Sequence, residues 1–196
     1  VATIWRLGFA AYQLVLDAGI QMTERYHTFL TKRFDRTEES RLHFASAMTQ
    51  LGYYDGEYDA SYLELAQFLT EHGSNTKADL AQLWRRIVFN IAVSNADDHL
   101  RNHGFIYRDG GWVLSPAYDI DPVAPANGLH LNISDDDNRL DYELAMEVIE
   151  FFQLNASEAQ TIKDAVLTSV GRWEAVATKA GISRSEQKLM ASAFNV

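Results

Sequence analysis

VSNADDHLRNHGF, residues 93–105, gathers two aspartates, two histidines, two asparagines and an arginine into thirteen positions. An apolar run, IVFNIAV (87–93), leads into it, and a strand-like FIY (105–107) follows. Polar groups at this density, between two stretches that read as core, mark a loop on a rigid scaffold. Such loops are where chemistry is commonly carried.

Working outward, Leu80, Leu83, Trp84, Ile87, Val88 and Ile91 recur at helical spacing, so the loop is preceded by a helix over 76–93. It is followed by a hairpin, 104–108 and 112–114, because Asp109-Gly110 supplies the positive φ that a two-residue turn requires. A further helix is expected at 59–71. Residues 115–140, with Pro116, Pro122, Pro125 and the acidic run 135–137, read as irregular and solvated. Three helices then follow near 141–152, 158–179 and 184–194. Ser157 with Gln160 and Ser183 with Glu186 have capping-box spacing, and Gly181 suits a helix stop. Towards the amino end, 3–18 is apolar on most faces and reads as a buried helix stopped by Gly19. Residues 27–33 read as a short strand, and 37–56 as a polar loop around His43 and Gly52. The expected fold is mainly α with a few short β-strands.

Composition sets outer bounds. The 196 residues suit one domain with a real core. Acids outnumber bases 27 to 17, a net charge of −10, which disfavours direct nucleic-acid binding or attraction to an anionic membrane. The absence of cysteine excludes disulfides and thiolate metal sites and agrees with a reducing, cytoplasmic setting. No apolar run is long enough to span a membrane and no signal peptide is evident. The chain starts at Val1 rather than methionine, so a fragment or a processed form is expected.

Two chemistries fit the loop. His99 and His103 are four apart, as zinc ligands on one helix face would be, but Leu100 stands where a zinc hydrolase needs glutamate, and Gly104 ends any helix. Phosphoryl transfer needs a carboxylate to orient the attacking hydroxyl, an amide oxygen on magnesium, and a second carboxylate on the metal that bridges the phosphates. Asp97 and Asn102 are five apart, as in the catalytic loop of protein kinases. The hairpin follows, and SPAYDID (115–121) then offers Asp119, with Asp121 as a nearby rival. Order, spacing and intervening hairpin agree with a protein-kinase-like carboxy-terminal lobe of α+β type.

NADDHLRNHGF followed by WVLSPAYDIDP resembles the HipA-like serine/threonine kinases of bacterial toxin–antitoxin systems, as do FLTKRFDR (29–36), RLHFASAMTQLG (41–52) and YLELAQFL (62–69) in the same order. The resemblance covers essentially the whole chain, 1–196. It implies a kinase-like fold, ATP and Mg2+ as cofactors, and phosphate transfer to a hydroxyl of a protein substrate. It makes Asp97 the catalytic base and Asn102 and Asp119 the metal and phosphate ligands. His99, Leu100, Arg101 and Tyr118 would line the nucleotide. Segment 20–36 would lead into and form the hinge between lobes, with the backbone of Lys32, Arg33 and Phe34 holding adenine; Lys32 stands where some members carry an acid. The resemblance also implies a cognate antitoxin that itself binds DNA, and a target in the translation machinery.

Simpler roles stand beside these. Asp97 could cap a helix, Asn102 could shape a turn, and His99 could be a satisfied buried histidine. Asp98 is expected to be structural, pairing with Arg101 or a backbone amide, and His103 is likewise structural. Arg33, Asp35 and Arg36 could form an ion-pair network at a strand end. The sequence holds no glycine-rich phosphate loop and no lysine before Lys32, so the amino-terminal lobe that cradles ATP is missing from it, together with the serine that family members autophosphorylate. Two functions stay open: an ATP- and Mg-dependent protein kinase, inactive as this partial chain, or a kinase-like remnant that binds a nucleotide or partner without catalysis.

Overall fold

The computed structural model describes residues 33–57 and 59–196, together with the backbone of two short strands before them. Those strands, β1 (Gly19–Met22) and β2 (His27–Leu30), pair antiparallel with Gly19 opposite Leu30. The helix expected over 3–18 and the position of Lys32 lie outside the described residues.

The fold is mainly helical, with a small three-stranded sheet of order β3-β4-β5. β3 (His43–Ser46) runs directly into α1 (Ala47–Leu51), where Ser46 caps the helix by accepting from the Thr49 amide. The reading of 37–56 as loop is corrected here. His43–Ser46 lacks a local strand signal and is extended because it pairs with β4, Phe44 opposite Ile106. α2 (Tyr62–His72) begins at a Ser61/Glu64 capping box, three residues later than expected. Residues 60 and 61 stay outside the helix, bridged to Asn132, whose amide donates to the Ala60 carbonyl at 3.0 Å and whose carbonyl accepts from the Tyr62 amide at 2.9 Å.

α3 (Thr76–Val93) has the expected bounds and is the core helix. Leu80, Leu83, Trp84, Ile87, Val88 and Ile91 are fully buried, each worth about 1.5–3 kcal/mol for the larger aliphatic side chains. The expected hairpin is also present: β4 (Gly104–Arg108) and β5 (Gly111–Leu114) are joined by Asp109 and Gly110 at φ 56° and 81°. It is fastened to α3 by the Asp79 carboxylate, which accepts from the Leu114 amide at 3.0 Å.

Residues 115–140 are irregular, as expected. α4 (Tyr142–Glu147) passes into a 3-10 turn at Ile149–Phe152. The helix expected over 158–179 is two: α5 (Ala156–Val170) and α6 (Trp173–Lys179). The break at Gly171 redirects the chain so that Trp173 stacks on Phe194, with centroids 4.1 Å apart. The cap of α5 is Asn155 with Glu158, not Ser157 with Gln160; an amide side chain two residues earlier reaches the first-turn N–H groups. α7 (Arg184–Met190) carries the expected Ser183/Glu186 box, and Gly181 has φ 74°. Asn195 then closes the fold, donating through Nδ2 to the Ile91 carbonyl and to Ser94 Oγ at the carboxyl end of α3.

The loop after α3 is fixed by a buried polar chain. Asn95 donates to Asn90 Oδ1, Asn90 donates to the Tyr62 hydroxyl, and that hydroxyl donates to Asp98 Oδ2. The other Asp98 oxygen meets His103 Nε2 at 2.8 Å. Asp98 and His103 are 3% and 1% exposed, so these bonds form away from competing water. Asp98 is therefore structural, but its partners are His103 and Tyr62; Arg101 turns away to Asp55. Truncating one member of such a buried set strands the others and typically costs about 3–5 kcal/mol. Asp98→Ala is expected to lose about 3 kcal/mol or more in urea unfolding followed by circular dichroism; a loss under about 1 kcal/mol would mean the chain of bonds does not hold this loop.

Candidate functional site

Burying Asp98 leaves its neighbour Asp97 pointing outward, with 71% of its side chain exposed. A 3-10 turn, Leu100–Asn102, then folds the chain back towards β4. Asn102 is buried, and its Nδ2 donates to the Asp97 carbonyl at 3.0 Å and to the Asp119 carbonyl at 3.4 Å. One amide therefore ties together two segments 22 residues apart in sequence. With the nitrogen engaged, Asn102 Oδ1 is left as the open acceptor. Asp119 sits at φ 56° with its carboxylate exposed. A non-glycine residue in this region is uncommon, although aspartate tolerates it better than most.

The remaining expected residues divide into two groups. Phe34, Phe44 and Tyr118 form an aromatic trio, with centroids 5.6 Å apart for Phe34–Phe44 and Phe34–Tyr118. The Tyr118 hydroxyl donates to the Arg101 carbonyl at 2.7 Å, and burial raises its pKa to about 12. Phe34, Asn102 and Tyr118 line a cavity of about 780 Å3. Asp97, His99, Leu100 and Arg101 line a smaller one of about 160 Å3, with Asp55, Glu57 and His130 opposite. His99 Nε2 is 4.0 Å from Asp97 Oδ1, and the Leu100 side chain belongs to the core. Arg33 is exposed and forked onto Asp35 at 2.7 and 2.5 Å, the ion pair that a strand-end network predicts. His99 and His103 do not converge, because His103 Nε2 is committed to Asp98. Among the described residues no group of three or more histidine or carboxylate side chains is arranged to hold a metal ion.

The oxygen donors present are an amide, Asn102 Oδ1, and a carboxylate, Asp119, neither engaged by another described side chain. Magnesium takes few protein oxygens and completes its shell with phosphate and water, so this sparse donor set fits it.

The family model of the HipA-like C-terminal domain matches residues 6–190. The chain belongs to the HipA-like family. A Haemophilus influenzae protein named "Putative kinase" is 34% identical over 122 residues, which cover 57% of this chain and 35% of that protein. "Putative kinase Y4dM" of Sinorhizobium fredii is 38% identical over 97 residues, covering 48% of this chain and 23% of that protein. The matched part is about a third or less of each relative's length. A chain from the Shewanella oneidensis MR-1 toxin–antitoxin complex of HipA, HipB and operator DNA shares the fold. Its TM-score is 0.72 at 15% identity, over 98% of this chain and 53% of that one. No helix among the described residues is long and apolar enough to cross a membrane.

Two further residues lie beside this candidate site, one of them missed by sequence reading. His130 meets His99 edge-on at 5.7 Å, and burial, then His99, lowers its pKa. It arrives from the irregular stretch, where no periodicity points to it. Asp121, seen in the sequence only as a rival to Asp119, is half-buried. Burial raises its carboxyl pKa, and the charges of Asp119 and Asp97 raise it further. A carboxylic acid with a raised folded pKa is destabilising once ionised, and the penalty vanishes below the unfolded pKa of about 3.9, where both states are protonated. Asp121→Asn is therefore expected to raise the melting temperature by about 2–4 °C at pH 7, with the gain fading towards pH 3. An equal gain at both pH values in scanning calorimetry would contradict charge crowding at this site.

Proposed function

We propose that this chain is the carboxy-terminal, catalytic-loop part of an ATP- and magnesium-dependent serine/threonine protein kinase of the HipA-like toxin type. The observation that carries the reading is the Asn102 amide spanning the Asp97 and Asp119 carbonyls. It sets the backbones of a base candidate and a ligand candidate in fixed relation and leaves the amide oxygen without a described partner. In this reading the exposed Asp97 carboxylate orients the acceptor hydroxyl and takes its proton. Asn102 Oδ1 and the Asp119 carboxylate would hold magnesium, which would supply charge neutralisation for phosphoryl transfer. The aromatic trio of Phe34, Phe44 and Tyr118 offers apolar faces to a base, and His99 lies beside Asp97 towards the acceptor side. The backbone of 32–34 acts as the hinge.

The phosphate-cradling loop and its lysine would come from the amino-terminal part of a longer protein, as the greater length of the curated relatives supports. The protein substrate would enter on the Asp97 side. The Shewanella complex supports a DNA-bound antitoxin as a further partner.

Calorimetric titration with magnesium-ATP tests the site in the chain as it stands. The parent is expected to bind, and Asp119→Ala, folded by circular dichroism, to bind about tenfold more weakly or worse, in line with loss of a charged ligand. Equal binding by both proteins would remove Asp119 from the site.

A further inference from the structure

The larger cavity, whose wall also includes Phe34, Asn102 and Tyr118, holds a group of arginines that the kinase reading does not use. Its walls include Arg85 and Arg86 of α3, Arg108 of β4, Gln82 and Ser169. Arg86 Nη2 donates to the Ser115 carbonyl, but Nη1 is fully enclosed and meets no acceptor. Buried donors are nearly always paired, so an enclosed guanidinium nitrogen without a partner calls for a physical account. The carboxylates on the same walls do not supply one. Asp79 accepts from the Leu114 amide and from Asn75, and both oxygens of Asp98 are taken by Tyr62 and His103. Among the described residues none of the three arginines forms an ion pair. Burial lowers the Arg86 pKa to about 10, still well above neutrality, so the group remains a cation. In a chain of net charge −10, three guanidiniums without an ion pair, the exposed Arg108 among them, line one partly open cavity against the overall balance.

The wall also carries apolar side chains, with Phe89 and Val166 buried beside the arginines, and polar ones from Asn90, Asn102, His103 and Tyr118. The volume of about 780 Å3 falls in the range of about 300–1,000 Å3 that small-molecule sites occupy. Arginine is suited to carboxylate and phosphate because its planar fork matches two oxygens at once. We propose that this cavity binds an amphipathic organic anion, its phosphate or carboxylate head on Arg86 flanked by Arg85 and Arg108, its apolar body on Phe89 and Val166. The proposal goes beyond the kinase reading and does not depend on it. It also has a mechanical consequence. Arg86 holds the carbonyl of Ser115, four residues before Asp119, so an anion drawing on this guanidinium acts on the segment that ends at Asp119.

Titration calorimetry on the chain with phenyl phosphate, 3-phenylpropanoate and the neutral 3-phenylpropanamide tests it. At least one anion is expected to bind, with the amide about tenfold weaker or worse, and the stronger of the two anions identifies the head group. Arg86→Gln is expected to weaken the anion by about tenfold, and Arg86→Lys, which keeps the charge but not the fork, by a smaller factor. If Arg86→Gln does not fold, Arg86→Lys carries the same comparison with Arg85→Gln beside it. Asp119→Ala should leave anion binding unchanged. Absence of binding by both anions to the folded parent overturns the proposal, as does parental affinity in the folded Arg86 variants. So does one-for-one displacement by magnesium-ATP with Asp119→Ala losing both ligands, which would make the cavity part of the nucleotide site. Failure of the kinase reading looks different: magnesium-ATP does not bind while the anion still does.

Discussion

The carboxylate of Asp98 is the point on which the loop between α3 and β4 turns. It is out of water, accepts from Tyr62 on α2, and meets His103 at the start of β4. Through Tyr62 and Asn90 it is joined to α3 as well. Three elements are thus tied to one side chain, and the residues between them have little freedom left. The consequence for the site is directional. With Asp98 anchored inside, Asp97 faces solvent, and the 3-10 turn that follows brings Asn102 under it.

A second constraint holds the partner segment. Asp79 binds the end of β5, Arg86 binds the carbonyl of Ser115, and Asn95 accepts from the Asp121 amide at 3.3 Å. The segment that carries Asp119 is therefore gripped on both sides, from α3 and from the loop after it. The left-handed backbone of Asp119 persists between these two grips, as local strain does where the surroundings over-determine it. The carboxy-terminal Asn195 secures the same end of α3 from outside by bonding Ile91 and Ser94.

What was legible in the sequence follows from what is local. The period of Leu80, Leu83, Trp84, Ile87 and Ile91 and the Asp109-Gly110 turn are short-range signals, and α3 and the hairpin lie where those signals put them. The spacing of Asp97, Asn102 and Asp119 was legible for the same reason. β3 was not, because its extended form comes from pairing with β4 some sixty residues on. The partner of Asp98 was misjudged because Arg101 is nearer in sequence, whereas burial selects a partner that can itself be buried, and His103 with Tyr62 meets that condition. His130 and Arg86 depend entirely on which surfaces the irregular stretch and the helices enclose, and no local pattern encodes that.

The charges around 115–121 are sorted by sign. On one side lie Asp97, Asp119 and Asp121, close enough for the first two to disfavour ionisation of the third. Two guanidiniums are committed elsewhere, Arg101 to Asp55 and Arg33 to Asp35. On the other side lie Arg85, Arg86 and Arg108, facing a cavity whose carboxylates are already bonded. Neither set is closed by ion pairs among the described residues, although Asp79 attracts Arg86 and Arg108, and unpaired charge is costly in proportion to its burial. In the proposed readings each set is the complement of a ligand: carboxylates and an amide oxygen for a divalent cation, guanidiniums for an anion. The short segment between them is bonded to α3 through Ser115 and to the Asp97 loop through Asn102. In the two proposed readings it is a stretch through which occupation of either side would be felt by the other.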